Sequence, residues 1–275
     1  MSTFRYEKPP TEEALTACLA EADGAARLLA GGTDLLGQLR ARALEPPLVV
    51  DLKGVPELHR LQARPEGLSV GAAVILNRLL EEHALTERYR ALRQAVSELA
   101  SYTIRNRATL VGNVANASPC ADSVPPLCVM EARVEILGPA GRRELPVQKF
   151  IRGNREVALQ RGEFVARVII PEPTAGTWSG YLKRKRVRGH DLALCSVALL
   201  REPERRRLRL SVGSCTPVPT LISLDDLFSR PDPEEAATRA QAAIHPIDDV
   251  RASVEYRRDM VAVMTRRLLA EMTAS

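Results

Sequence analysis

Residues 27–40 read RLLAGGTDLLGQLR, and this joint constrains the chain most. An apolar run that reads as a buried strand stops at two adjacent glycines. A hydroxyl follows, and then Leu35, Leu36 and Leu39 recur at helical spacing, with Thr33 or Asp34 placed to cap the helix. The backbone must pass from strand to helix across residues that carry almost no side chain. Two readings fit. The glycines make a turn and nothing more, or they let an anion lie against the unpaired N–H groups of a helix start with no Cβ in the way. Neither GxGxxG nor GxxxxGK[ST] occurs, so the usual dinucleotide fold and the P-loop lack support.

A second small, polar stretch, TLVGNVANASPCAD at 109–122, shifts the balance. Thr109, Gly112, Asn113, Asn116, Ser118 and Asp122 supply donors and acceptors. Such a loop is costly to bury unless each amide finds a partner, and a bound dinucleotide could be that partner. The alternative is a loop that satisfies itself. Two separate cradles suit a ligand with two phosphates.

The rest of the chain alternates strand and helix signals. TEEALTACLAEADG reads as a helix capped by Thr11, PPLVVDL and GLSVGAAV as strands, and residues 81–100 as largely helical. Asp122 and Ser123 read as the cap of a helix that tolerates Pro125 and Pro126 in its first turn. ARVEILGPAGRREL reads as a hairpin and EFVARVIIPEP as a strand ended by prolines. PEPTAGTWSG, at 171–180, is the best domain boundary. Beyond it YLKRKR, DLALCSVALLR and RRLRLSVGSCTPVPT read as antiparallel strands, with partial helix left open for the middle one. Two helices follow, in PDPEEAATRAQAAI and SVEYRRDMVAVMTRRLLAEMTA.

Composition excludes several classes. With 275 residues, 45% of them apolar, the chain can bury two small cores. No apolar run approaches the roughly 20 residues of a membrane span, and the N-terminus lacks a signal-peptide core, so a cytoplasmic setting is expected. Five scattered cysteines fit a reducing compartment and match no iron–sulfur spacing. The four histidines show no metal spacing, and no GxSxG is present. The net charge of +5 comes mainly from arginine, in runs such as KRKRVRGH at 183–190. Aromatic residues make up only 4%, too few for base-stacking platforms, so nucleic acid is not the expected partner.

Four motifs in order, LLAGGTDLL (28–36), ATLVGNVANASPCAD (108–122), GEFVARVIIP (162–171) and LKRKRVRGHDLA (182–193), resemble the FAD-binding medium subunits of the molybdenum hydroxylases, the xanthine dehydrogenase and carbon monoxide dehydrogenase group. The resemblance implies an α/β FAD-binding domain of two subdomains (PCMH-type), followed by a smaller α+β C-terminal domain with an antiparallel sheet. The expected limits are 1–174, with subdomains of about 1–55 and 56–174, and 175–275. It implies FAD as cofactor. Leu28, Leu29, Ala30, Gly31, Gly32, Thr33, Asp34 and Leu35 would cradle the pyrophosphate. Thr109, Gly112 and Asn113 would hold the other side, and Asp122 would accept from ribose hydroxyls. Val165 would touch the cofactor through its backbone, and Lys183 would lie near the flavin. No catalytic acid or base and no metal ligand is implied. The implied partners are a large molybdopterin-binding subunit and a small [2Fe-2S] subunit, in a dimer of heterotrimers, with NAD or another external electron acceptor.

Two departures stand out. Val111 occupies the position of the family's first glycine in GGN. If that position demands a positive φ, a β-branched residue is strained, so either the loop is tolerant or FAD is held more weakly. Val187 stands where an arginine is usual, with Arg186 and Arg188 as substitutes, while Lys183 and Asp191 keep the family spacing. Arg27, just before the first motif, is placed to reach a phosphate or adenine, or simply to begin a strand at the surface. Two other functions stay open: a stand-alone flavin oxidoreductase, and a non-enzymatic assembly partner that has lost FAD, for which Val111 is the argument.

Overall fold

The computed structural model describes residues 3–275, apart from the side chains of residues 84, 86 and 87. Arg5–Glu7 (β1), Ala26–Leu29 (β2) and Leu48–Asp51 (β3) form a parallel sheet in the order β1-β3-β2. Helix α1 (Glu12–Glu21) connects β1 to β2, and the short α2 (Leu35–Arg40) connects β2 to β3. Thr11 caps α1 by accepting from the Ala14 amide, and Leu15 and Leu19, one turn apart, face the core. Strand β3 is buried on both faces, which is why LVVD shows no alternation.

A second, antiparallel sheet contains Leu61–Arg64 (β4), Gly67–Gly71 (β5), Arg133–Gly138 (β6), Gly141–Pro146 (β7) and the central Phe164–Pro171 strand. A small hairpin, Ile151–Gly153 (β8) with Glu156–Val157 (β9), precedes that central strand, which is β10. The order is β4-β5-β10-β6-β7. The GPAG hairpin forms as expected, with Gly138 opposite Gly141. The helical run between β5 and β6 comprises α3 (Leu76–Leu80), α4 (His83–Arg88), α5 (Arg90–Glu98), α6 (Tyr102–Arg105), α7 (Leu110–Ala115) and α8 (Val124–Val129), with α9 (Val147–Phe150) after β7.

The C-terminal part is a four-stranded antiparallel sheet in chain order, Trp178–Arg184 (β11), Cys195–Glu202 (β12), Arg207–Gly213 (β13) and Thr220–Ser223 (β14). Helices α10 (Pro233–Ala242) and α11 (Val254–Thr273) follow. Strand β12 feeds two cores. Ala198 and Leu200 pack with the core of the first two sheets, while Val197 and Leu199 pack against α10 and α11 residues such as Ala236, Ala240, Val261 and Leu268. A strand covered on both faces has no polar face, so its sequence reads as an unbroken apolar run that strand and helix patterns share. It is strand throughout.

Two sequence readings of local structure change. The stretch 109–122 is not an open loop: Thr109 caps α7 by accepting from the Gly112 amide at 3.0 Å, and Leu110, Val111 and Val114 are buried. Glycine and asparagine are poor helix formers, so the cap and the burial hold a helix that propensity does not announce. The expected cap of α2 also differs: Asp34 occupies the cap position without a side-chain capping bond.

Candidate dinucleotide site

The two small-residue segments meet. A Cβ built on Gly31 would lie 2.0 Å from the Arg107 carbonyl oxygen and 2.9 Å from the Ala108 Cα. Only a residue without a Cβ lets these backbones touch. Gly32 has φ +75°, a conformation that side chains resist. The second segment is pinned from behind by the Leu76 amide, which donates to the Ala108 carbonyl at 2.9 Å. Arg155 ties the two together from another side. Its guanidinium lies 3.7 Å from Asp34 and donates to Asn116 Oδ1 at 2.8 Å, and its amide donates to the Ala117 carbonyl.

Between the segments opens a shallow crevice lined by Ala30, Gly31, Lys53, Ile75, Arg107 and Thr109. Lys53 crosses under the first segment, donating to the Ala30 carbonyl at 2.9 Å and to Asp51 Oδ1 at 2.6 Å. Tyr6 donates to the other Asp51 oxygen. Burial pushes the Asp51 carboxyl up, but the Lys53 and Tyr6 hydrogen bonds outweigh it and hold the group below its ordinary value.

A second polar group lies deeper, where α8 meets β11. Lys183 Nζ sits 2.7 Å from Asp122 Oδ2, and Tyr181 donates its hydroxyl to Oδ1 at 2.9 Å. The Lys183 side chain is only 2% exposed and that of Asp122 6%. Tyr181 is fixed in turn by its amide, which donates to Gln94 Oε1 at 2.8 Å. Burial raises the Asp122 carboxyl, and the nearby ammonium and hydroxyl only partly oppose it. Burial, then Asp122, drives the Tyr181 phenol well above its usual value. Asp122 and Lys183, read from sequence as separate contacts, are one buried ion pair, and ribose hydroxyls would share Asp122 oxygens already engaged.

The remaining expected residues fall around these two groups. Leu28 and Leu29 lie on β2, with exposed Thr33 and Asp34 and half-buried Leu35 following. Gly112 and Asn113 are half-buried on α7, and Ser123 donates to Asn113 Oδ1 at 2.7 Å, tying α7 to the Asp122 turn. Val165 is buried beside a bulge of β10, where the ladder register shifts between Val165 and Arg167. Arg27 is exposed and donates to its neighbour Ala26's carbonyl. Val111 has ordinary helical backbone and is 3% exposed, so the strain expected of a β-branched residue there is absent. Glu163 of the third motif is engaged by Arg143 Nε at 2.7 Å and Nη2 at 2.6 Å. Among the basic run, Lys185 pairs with Glu98 and Arg186 with Asp191. Lys53, Arg155 and Tyr181 escaped the sequence reading. Only Tyr181 carried a signal, lying two residues before Lys183 on the same face of a strand.

The fold and the paired cradle define a dinucleotide-binding flavoprotein subunit. The residues fit its cofactor: two segments meeting through bare backbone at Gly31, an open crevice and the Lys53 cation beside it. Residues 2–173 match the family described as the FAD binding domain in molybdopterin dehydrogenase. Residues 180–272 match the CO dehydrogenase flavoprotein C-terminal domain. The chain thus belongs to the FAD-binding subunits of the molybdopterin dehydrogenase family; it is an oxidoreductase subunit and its cofactor is FAD. The xanthine dehydrogenase FAD-binding subunit of Escherichia coli O157:H7 is 30% identical over 261 residues, covering 91% of this chain and 89% of that one. The carbon monoxide dehydrogenase medium chain of Hydrogenophaga pseudoflava is 26% identical over 274 residues, covering 97% and 96%. Among solved structures, the carbon monoxide dehydrogenase from Hydrogenophaga pseudoflava matches with a TM-score of 0.90 and 26% identity over 98% of this chain and 97% of that one. Quinoline 2-oxidoreductase from Pseudomonas putida 86 matches at 0.88 and 28%, over 98% and 96%. Among the described residues no helix is long and apolar enough to cross a membrane.

Proposed function

We propose that this chain is the electron-transfer subunit of a cytoplasmic molybdenum hydroxylase complex. It takes electrons from the [2Fe-2S] clusters of a small partner subunit and passes them to NAD or another external acceptor. A large molybdopterin-binding subunit hydroxylates the substrate, and the whole is a dimer of heterotrimers. The domains divide at about residue 174, with a further division at about 55.

The observation that carries the reading is the contact of Gly31 with Arg107 beside an open crevice. In this assignment residues 28–35 with Thr109, Gly112 and Asn113 hold the diphosphate region, and Asp122, Val165 and Lys183 hold the flavin end. FAD supplies the exchange between one- and two-electron carriers. The chain's own task is to bind and orient it. The buried Lys183–Asp122 pair sets the local charge, and a cation there favours the negative charge a flavin gains on reduction. Purification of the native complex tests the proposal, with subunits counted and flavin, iron and molybdenum measured. A chain that purifies alone and turns over an organic substrate would support the stand-alone oxidoreductase instead.

A further inference from the structure

Two buried cysteines take no part in the dinucleotide site. Cys195 begins β12 and Cys215 follows β13, and both belong to the apolar core under α10 and α11. The β12–β13 ladder ends with Ser196 opposite Gly213, which sets Cys195 level with Ser214. Side chains alternate along a strand, so a regular continuation would send Cys215 to the other face. Ser214 instead has φ +65°, and this left-handed step brings the Cys215 thiol into the same core as Cys195. Each thiol acts on the other. Cys195 directs its proton to Cys215, which raises the Cys195 thiol and lowers that of Cys215 against the upward push of burial.

One guanidinium holds the chain beside both cysteines. Arg257 Nη1 donates to the Leu194 carbonyl and, at 3.3 Å, to the Ser214 carbonyl. Its Nη2 donates to Asp249 Oδ1 at 2.9 Å, and its buried Nε has no partner among the described residues. Asp249 is shared with Arg251, at 2.7 Å, so two guanidiniums face one carboxylate. The Arg257 side chain is only 1% exposed, and an uncompensated positive charge at that depth favours a thiolate nearby. Cys128 gives the contrast. It is equally buried, but burial alone acts on its thiol, which is pushed up to about 12.

We infer that Cys215 and Cys195 are a peroxide-reactive thiol pair, Cys215 the nucleophile and Cys195 the resolving thiol, which closes to a reversible disulfide. The Cys215 thiolate attacks one oxygen of hydrogen peroxide. The O–O bond breaks, a sulfenic acid forms, and the released hydroxide takes up the proton that Cys215 had lost. The Cys195 thiol then attacks the sulfenic sulfur, the S–S bond forms and water leaves. The two thiols give up two electrons, and one peroxide becomes two waters. Such a bond reopens in a reducing compartment. Its position gives it reach. Ser196 lies opposite Lys183, and the Ser214 amide donates to the Pro119 carbonyl at 3.0 Å, three residues before Asp122. The disulfide thus ties β12 to the turn that braces the Lys183–Asp122 pair.

The test reduces the full chain, exposes it to hydrogen peroxide and removes the excess with catalase. The chain is then denatured, blocked with N-ethylmaleimide and digested, and its cysteine peptides are identified by mass spectrometry. The expected product is a linked Cys195–Cys215 pair, two hydrogens lighter than the separate peptides and lost on dithiothreitol treatment, with Cys128 recovered alkylated. With dimedone present, Cys195→Ser accumulates the sulfenic adduct at Cys215, whereas Cys215→Ser yields neither the linked pair nor an adduct at Cys195. Recovery of Cys195 and Cys215 as alkylated thiols, at peroxide levels that oxidise the half-buried Cys18 and Cys120, overturns the inference. The wild-type chain alone gives that result should either variant fail to fold. A dimedone adduct at Cys195 in Cys215→Ser overturns the choice of nucleophile. None of these outcomes bears on FAD, so the cofactor assignment stands or falls separately.

Discussion

The Gly31 backbone and the Arg107 carbonyl are packed so closely that a methyl group on the glycine would lie 2.0 Å from the oxygen. Both partners are backbone, so no side-chain rotation relieves the clash. Gly31→Ala must separate the segments. We expect it to cost about 1–3 kcal/mol, as overpacking does, and to lower the FAD retained per chain several-fold. The flavin-to-protein absorbance ratio and a denaturant titration measure both. Full flavin with unchanged stability would show that the segments do not pack this way. Gly32→Val differs: a Cβ there would lie 2.9 Å from Leu29 Cδ1, toward apolar side chains, and the positive φ adds backbone strain. Its effect on FAD therefore comes through the turn and not through a side chain placed in the crevice.

Lys183 and Asp122 make separate single substitutions hard to interpret. Lys183→Met leaves the Asp122 carboxylate buried beside Tyr181, with no cation. Breaking a buried pair costs about 3–5 kcal/mol. We expect Lys183→Met to lose stability on that scale and, on the proposed placement of Lys183 at the flavin end, to lower the midpoint potential of bound flavin. The double variant Lys183→Met with Asp122→Asn should regain most of the stability. A double-mutant cycle decides: purely additive losses would mean the two groups do not share their burial.

The acid limb of stability has an identifiable contributor. The two Arg143 hydrogen bonds hold the Glu163 carboxyl below its ordinary value, against burial that works to raise it. A carboxyl depressed in the folded state binds protons more readily when unfolded. Its contribution is present above the unfolded value, about 4.3, and is lost as pH falls through the folded one. Melting temperature should fall as pH drops below about 5, and Arg143→Gln should start lower at neutral pH and fall less steeply. Curves that stay parallel down to pH 3 would remove Glu163 as the cause. Asp122 works in the opposite sense, since its raised value gives a term largest at low pH and lost as pH rises through the folded value.

What the sequence revealed depended on range. Strand β3 was legible because a strand buried on both faces is an unbroken apolar run. The joint at Gly31 and Gly32 was legible because a close backbone approach and a positive φ each demand glycine locally. Helix α7 stayed hidden, since Gly112 and Asn113 argue against a helix that the Thr109 cap and three buried apolar residues stabilise. The cations were hidden for another reason. Lys53 lies 23 residues from the carbonyl it supports, Arg155 lies 39 residues from Asn116, and no local pattern records such pairings. Lys183 and Asp122 were each legible, but not that they neutralise one another across 61 residues.

Val111 separates local resemblance from local physics. A valine in place of a family glycine argues for strain and weak cofactor binding, but its backbone is helical and its side chain is buried in the core shared by the first two sheets. Val111→Gly should therefore hurt. It removes a buried isopropyl group, worth about 1.5–3 kcal/mol, and adds a few tenths of a kcal/mol in helix propensity. A loss of roughly 2 kcal/mol in denaturant unfolding is expected, with FAD affinity no better than wild type. Since α7 positions both Gly112 and Asn113, fraying it should weaken FAD slightly. Tighter FAD binding at no loss of stability would instead mean that the valine obstructs the site and that the helix begins after it.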